Sequence, residues 1–229
     1  MRLYLDTANT QDWAQLLPLG VFYGITTNPL LAQRAGLDYA QSDWRGLLAH
    51  AKALGAQELH LQAFGDPSTY VKWATEIYKI AHQEEITAVI KIPLVRPAIA
   101  QVPNLKALGG KILMTACYDA VQCLTAIALE ADYLAPYLGR MQAKGIDALA
   151  HLNAINMISQ GSGCEVLAAS IKSLETLRQV AQAGTPCATL AEALGIPQEF
   201  ICESASRADT SRCCPPAPRS RCTKARSTA

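Results

Sequence analysis

Strong charge is the first thing missing from this chain. Its 229 residues hold 20 lysines and arginines against 19 aspartates and glutamates, a formal net charge of +1, so the balance gives no argument for a nucleic-acid partner. No stretch approaches the roughly 20 consecutive apolar residues that a membrane span requires. A basic leader followed by an apolar stretch and a cleavage site is missing too, since Met1 runs straight into the strand-like RLYLD. Secretion is therefore not expected, and the expectation is a cytoplasmic protein without membrane contact.

Metal-binding spacings are absent as well. There is no C-x-x-C pair, and the four histidines, at 50, 60, 82 and 151, are far apart, so no zinc site is expected. Eight cysteines could suggest a disulfide framework, but their spacing is scattered. Cys117, Cys123, Cys164 and Cys187 lie in or beside apolar segments and read as buried free thiols. Cys202, Cys213, Cys214 and Cys222 crowd into the C-terminal part.

What the chain does have is apolar material. Half of its residues are hydrophobic and only 17% are charged, the composition of a packed domain, and the length suits one α/β barrel. Short apolar runs recur: RLYLD (2–6), VFYGITTN (21–28), ELHLQAFG (58–65), AVIKIP (88–93), KILMTA (111–116), DYLAPY (132–137), EVLAAS (165–170) and CATL (187–190). Helix-like stretches lie between them. In PSTYVKWATEIYKIAHQE (67–84), Val71, Ile77 and Ile80 recur at roughly helical spacing, with Pro67 at an early helical position and Asp66 as its cap. Eight strands alternating with helices predict parallel β-α units closed into a (β/α)8 barrel over residues 1–200.

In that architecture chemistry sits at the C-terminal mouths of the strands, so the polar residues that end the apolar runs are the ones to inspect. They are Asp6, Thr26 with Asn28, Gln62, Lys91, Thr115, Tyr137 with Arg140, and Ser170 with Lys172. Each alone has an ordinary explanation as a helix cap, a turn residue or solvated surface. Lys91 is the exception in kind. It interrupts TAVIKIPLV, a run that reads as a strand buried on both faces. Alternation turns Ile90 and Ile92 toward the helices and Lys91 into the barrel. A free lysine is neutral in only about one molecule in 10³ to 10⁴ at pH 7, and burial raises that fraction by lowering the pKa. The uncharged amine is a nucleophile toward carbonyls. A structural alternative is an inward lysine held in a salt bridge to Asp6, and the two roles are compatible.

LYLDTA at 3–8, GITTNP at 24–29, Lys91 in VIKIP, TACY at 115–118, APY and Arg140 from 135 to 140, and LAASIK at 167–172 together resemble the fructose-6-phosphate aldolase branch of the transaldolase family. The resemblance covers about residues 1–200. It implies a (β/α)8 barrel, a class I Schiff-base mechanism with no metal or organic cofactor, and Lys91 as the imine-forming residue. It further implies that Asp6 assists proton transfer and that Asn28, beside Thr26, binds the donor. Gln62, Thr115 and Tyr137 would hold the water that carries protons to and from the enamine. Arg140 and Ser170, with Lys172 nearby, would bind the acceptor phosphate, an assignment that suits a planar cationic fork on loops after the later strands. Transaldolases of the family carry glutamate and phenylalanine where this chain has Gln62 and Tyr137. The pair therefore favours aldol cleavage of fructose 6-phosphate to dihydroxyacetone and glyceraldehyde 3-phosphate, with dihydroxyacetone transfer as the alternative. Other small ketones would use the same lysine.

The resemblance fades after CATLAEAL. The family continues with a proline-containing segment and a long terminal helix, whereas residues 202–229 hold six basic and two acidic residues and three prolines within four positions. The segment 201–229 is expected to be disordered. It reads as a basic tail for nucleic acid or membrane, a Cys-Cys metal segment, or the product of a shifted reading frame, the last being favoured on composition. The family's ring-shaped homo-oligomers use the terminal helix, so oligomerisation here is left open. So is the alternative of a non-catalytic, phosphosugar-binding barrel.

Overall fold

The computed structural model describes residues 1–191. The end of the barrel domain expected at residue 200 and the tail expected at 201–229 lie outside the described residues. Eight parallel strands close in chain order: β1 Arg2–Asp6, β2 Phe22–Thr26, β3 Glu58–Gln62, β4 Thr87–Pro93, β5 Lys111–Cys117, β6 Tyr133–Pro136, β7 Glu165–Ala168 and β8 Cys187–Leu190. β1 pairs with both β2 and β8, which seals the cylinder. Helices follow β1 to β7 among the described residues, and the closed order of eight parallel strands is that of the expected (β/α)8 barrel.

Aliphatic alternation builds two apolar layers. Leu59, Leu61, Ile90, Ile92, Ile112 and Met114 are fully buried between sheet and helices, while Tyr4, Val89, Leu113, Tyr133, Leu167 and Cys187 pack against one another inside the cylinder. On β2 the inward position at this level is Gly24. A side chain there would meet the Glu58 carbonyl oxygen at 2.5 Å and the ring of Tyr4 at 3.2 Å, so glycine makes room for the tyrosine.

The segment 67–84 forms as a short 3-10 turn, Pro67–Thr69, leading into a helix over Tyr70–Gln83. Asp66 caps the turn by accepting from the Ser68 amide. The buried stripe differs from the expected one: Tyr70, Ala74, Ile77 and Ala81 face the sheet, and Val71 and Ile80 are only partly buried. A 3, 4 spacing through two alanines lets the helix sit close to β4, which larger side chains would prevent. The four cysteines at 117, 123, 164 and 187 are buried free thiols.

At the N-terminal end of the cylinder lies a buried charge cluster that inspection of strand ends missed. The Glu58 carboxylate accepts from Tyr4 Oη at 2.9 Å, Tyr133 Oη at 3.0 Å, Lys111 Nζ at 2.7 Å and His60 Nε2 at 2.8 Å. Burial alone would raise its pKa, but His60 and Lys111 bring it down to about 2. Burial lowers the His60 pKa as well, to about 4, against the opposing effect of Glu58. The pair is thus an ionised carboxylate and a neutral imidazole that donates through Nε2.

Candidate active site

Lys91 enters the site from β4. Its neighbours across the sheet are Gln62 on β3 and Leu113 on β5, and the residue is 5% exposed. Its Nζ donates to the Thr27 carbonyl oxygen at 2.8 Å. Among the described residues it forms no ion pair with Asp6, so the salt-bridge alternative does not describe the geometry. Burial lowers the Lys91 pKa, and the field of Asp6 offsets part of the shift. The amine is therefore more often neutral than that of a free lysine.

Asp6 ends β1, and its orientation is set by neighbouring strands. Thr26 Oγ1 donates to Asp6 Oδ1 at 2.7 Å and lies 2.6 Å from Thr189 Oγ1 on β8. Thr26 has one proton and gives it to the carboxylate, so Thr189 is the donor in the second contact. The chain of two hydroxyls thus ties one Asp6 oxygen, Oδ1, to β2 and through it to β8.

Opposite them, Tyr137 Oη and Thr115 Oγ1 are 2.7 Å apart. Burial raises the Tyr137 pKa, against the effects of Thr115 and Arg140, so the phenol keeps its proton at neutral pH. The Arg140 guanidinium lies 4.8 Å from the centroid of the Tyr137 ring, and its Nη1 donates to Tyr118 Oη at 3.3 Å. Stacking on one tyrosine and a bond to another hold a planar cation in place.

Two residues at this mouth adopt a left-handed backbone without being glycine: Ala116 and Ser170, each at φ 60°. Such conformations cost on the order of 1 kcal/mol or more and persist where the surroundings hold them. For Ser170 the holding groups are visible. Leu138 N donates to the Ala169 carbonyl and Gly139 N to the Ser170 carbonyl, both at 2.9 Å. A Cβ on Gly139 would fall 2.4 Å from Ser170 O and 2.7 Å from Lys172 Cγ, so only glycine allows this contact between the ends of β6 and β7.

Asp6, Thr26, Asn28, Lys91, Thr115, Tyr137, Arg140, Ser170 and Lys172 all border one cavity of about 390 Å³. Its apolar walls come from the inward residues Leu113, Ala135, Leu167 and Ala169. Gln62 does not border it. It faces an adjoining recess of about 280 Å³ that shares Asn28, Thr115, Tyr137 and Arg140 with the main cavity, and Tyr39 Oη contacts its backbone nitrogen at 2.8 Å and oxygen at 2.7 Å. Asn28 caps the helix Pro29–Arg34, its Oδ1 accepting from Leu30 N and Leu31 N. Its amide nitrogen is left for the cavity.

Sequence reasoning overlooked Thr189 and Arg34, which border the cavity, and Tyr118, which accepts from Arg140. Thr189 is hidden because CATL ends on leucine, although alternation with Cys187 marks it as inward. Tyr118 lies beyond the end of β5. Arg34 sits on a helix rather than at a strand end. Among the described residues no three His, Cys, Asp or Glu side chains converge where they could share a metal ion, and no helix is long and apolar enough to cross a membrane.

The transaldolase/fructose-6-phosphate aldolase family model matches residues 3–197. A probable transaldolase of Dehalococcoides mccartyi is 33% identical over 195 residues, covering 83% of this chain and 86% of the relative. A probable fructose-6-phosphate aldolase of Streptococcus pneumoniae is 30% identical over 197 residues, covering 82% and 84%. Among solved structures, a thiamine phosphate pyrophosphorylase from Pyrococcus furiosus gives a TM-score of 0.58 at 13% identity, over 84% of this chain and 86% of that one. A mandelate oxidase gives 0.58 at 13%, over 87% and 68%. At such identities these two likenesses concern the fold alone.

Proposed function

The chain belongs to the transaldolase/fructose-6-phosphate aldolase family, and on that premise we propose that it is a Schiff-base enzyme that cleaves and forms carbon–carbon bonds in phosphorylated ketoses. The observation that carries this reading is Lys91. A primary amine buried in the barrel, with its pKa lowered by burial and one carbonyl acceptor, opens onto a polar cavity.

In the proposed cycle neutral Lys91 attacks the ketone carbon of fructose 6-phosphate, and loss of water gives an iminium. Asp6, held by Thr26, moves protons in these steps. The bond between carbons 3 and 4 breaks, its electron pair enters the iminium, and the carbon-4 hydroxyl loses its proton as glyceraldehyde 3-phosphate departs. The enamine is then protonated by a water held between Thr115 and Tyr137, with Gln62 on the adjoining side, and hydrolysis frees dihydroxyacetone. Arg140, Ser170 and Lys172 bind the phosphate. Asn28 meets the donor hydroxyl.

The Tyr137 phenol, bonded to Thr115, favours cleavage, because it supplies the proton donor that releases the enamine as a free ketone. Transfer of the three-carbon unit to a second aldehyde is the other reading, favoured by relatives such as those of Dehalococcoides mccartyi and Lactiplantibacillus plantarum, which are named probable transaldolases. Borohydride reduction in the presence of dihydroxyacetone tests the common core by placing a three-carbon adduct on Lys91. A fructose 6-phosphate cleavage assay run beside a transfer assay with erythrose 4-phosphate separates the two activities. Saturable sugar-phosphate binding with no adduct would favour the non-catalytic barrel.

A further inference from the structure

The charges around the cavity do not balance against a single phosphate. Arg34, Arg140 and Lys172 border it in addition to Lys91, whereas Asp6 is the one carboxylate there among the described residues. One phosphate group, close to doubly charged at neutral pH, is matched by Arg140 and Lys172. Arg34 is left over, and no described residue forms an ion pair with it.

Its place in the barrel gives that surplus a direction. Arg34 ends the helix that follows β2, and in the closed order β1 to β8 the strand opposite β2 is β6. Arg140 follows β6, and Ser170 and Lys172 follow β7. Lys91, on β4, stands two strands from β2 and two from β6. A ketose bonded to Lys91 through its carbonyl carbon has two arms. The arm that is cleaved off runs to the phosphate groups after β6 and β7, so the other arm, carrying carbon 1, points toward β2. There it meets Asn28 and then the helix face on which Leu30 and Leu31 precede Arg34 by four and three residues. All three border the cavity, as that spacing requires.

We propose that Arg34 forms a second anion subsite at the donor end of the cavity and receives a phosphate carried on carbon 1 of the ketone. The proposal rests on the Schiff-base reading of Lys91 and extends its substrate class to doubly phosphorylated ketoses, cleaved to a ketone phosphate and an aldehyde phosphate. The electron count is that of the parent reaction. The bond between carbons 3 and 4 gives its pair to the iminium, the carbon-4 hydroxyl loses a proton to become the aldehyde, carbon 3 regains one, and water hydrolyses the imine.

Cyanoborohydride trapping on the full chain tests this as a ratio, with dihydroxyacetone and dihydroxyacetone phosphate compared at one pH. The half-saturating concentration should be about tenfold lower for the phosphorylated ketone, as a charged hydrogen bond allows, and R34Q should bring the ratio close to one. R140Q distinguishes the two anion sites. The donor subsite is overturned if the unaltered chain shows no preference for the phosphorylated ketone. It is equally overturned if the preference survives R34Q and collapses in R140Q, for the phosphate then sits in the acceptor site. Absence of any adduct on Lys91 with either ketone would remove the Schiff-base reading itself, and the subsite with it.

Discussion

Replacing Lys91 by methionine should abolish turnover and raise the melting temperature together. The two residues have similar unbranched shape, so K91M keeps the packing against Gln62 and Leu113 while removing the ammonium. Exchanging buried charge for apolar volume is commonly worth about 1–4 kcal/mol. Against this, the Thr27 carbonyl loses the bond it receives at 2.8 Å, a cost of about 1 kcal/mol. The difference is a net gain of about 0–3 kcal/mol, and its middle, about 1–2 kcal/mol, corresponds to a rise of about 2–8 °C for a domain of this size.

The pH dependence adds a sign that simple repacking would not produce. Because burial lowers the Lys91 pKa in the folded chain, the folded state releases this proton at lower pH than the unfolded state does. The burial penalty is fully present below the folded pKa and is relieved as pH rises toward the ordinary lysine value of 10.5. The advantage of K91M should therefore be largest near pH 6 and shrink in alkaline buffer. Differential scanning calorimetry at pH 6 and pH 9.5, with fructose 6-phosphate turnover measured alongside, checks all three statements. A variant that melts at or below the temperature of the unaltered chain at pH 6, or whose advantage grows with pH, or that still turns over, would refute the reasoning.

Three further outcomes follow from the same geometry. Y137F removes the phenol bonded to Thr115 and should lower the rate of ketose cleavage by about 10²-fold, the lower end of general acid catalysis; the ratio of cleavage to transfer products should fall in the same assay. G139A forces a Cβ to within 2.4 Å of the Ser170 carbonyl, so KM for glyceraldehyde 3-phosphate should rise about tenfold or more while that for unphosphorylated glyceraldehyde changes little, as read from aldol-addition kinetics. E58Q should destabilise the chain by about 3 kcal/mol at pH 7. The Glu58 carboxylate, with its pKa lowered to about 2, stabilises the fold above its ordinary value of 4.5 and loses that effect as pH falls from there toward 2. The gap between the two proteins in urea unfolding should thus be narrower at pH 4 than at pH 7.

The barrel was legible because its strands are aliphatic enough to be counted, and CATL even returned its own boundaries, Cys187–Leu190. Most of the site was legible because a polar residue ending an apolar run is visible without structure. Lys91 was the clearest, since an interior amine conflicts with everything around it. The same rule failed for Thr189, where a leucine follows the inward threonine, and for Arg34, which reaches the cavity from a helix. It failed for Glu58 as well, because a glutamate between a turn and a strand looks like solvated surface until Tyr4, His60, Lys111 and Tyr133 close around it. The helix 70–83 was misread in its face because alanine is a weak signal of burial, and Ala74 and Ala81 carry the contact.

Glu58 and Lys91 are both charged residues buried in this barrel, and they differ in how fully their surroundings serve them. Glu58 accepts hydrogen bonds from four surrounding groups, enough to keep it ionised in the interior. Nothing is left over for a ligand. Lys91 has one acceptor, the Thr27 carbonyl, and a carboxylate that acts on it without bonding to it. An ammonium has three protons to place and would be poorly served there, whereas a neutral amine can give one proton to Thr27 and turn its lone pair toward the cavity. The fold meets the needs of the charge at its N-terminal end in full and those of the charge at its mouth in part. The lone pair that a neutral Lys91 keeps free at the mouth is the group that the proposed Schiff-base chemistry directs at a carbonyl carbon.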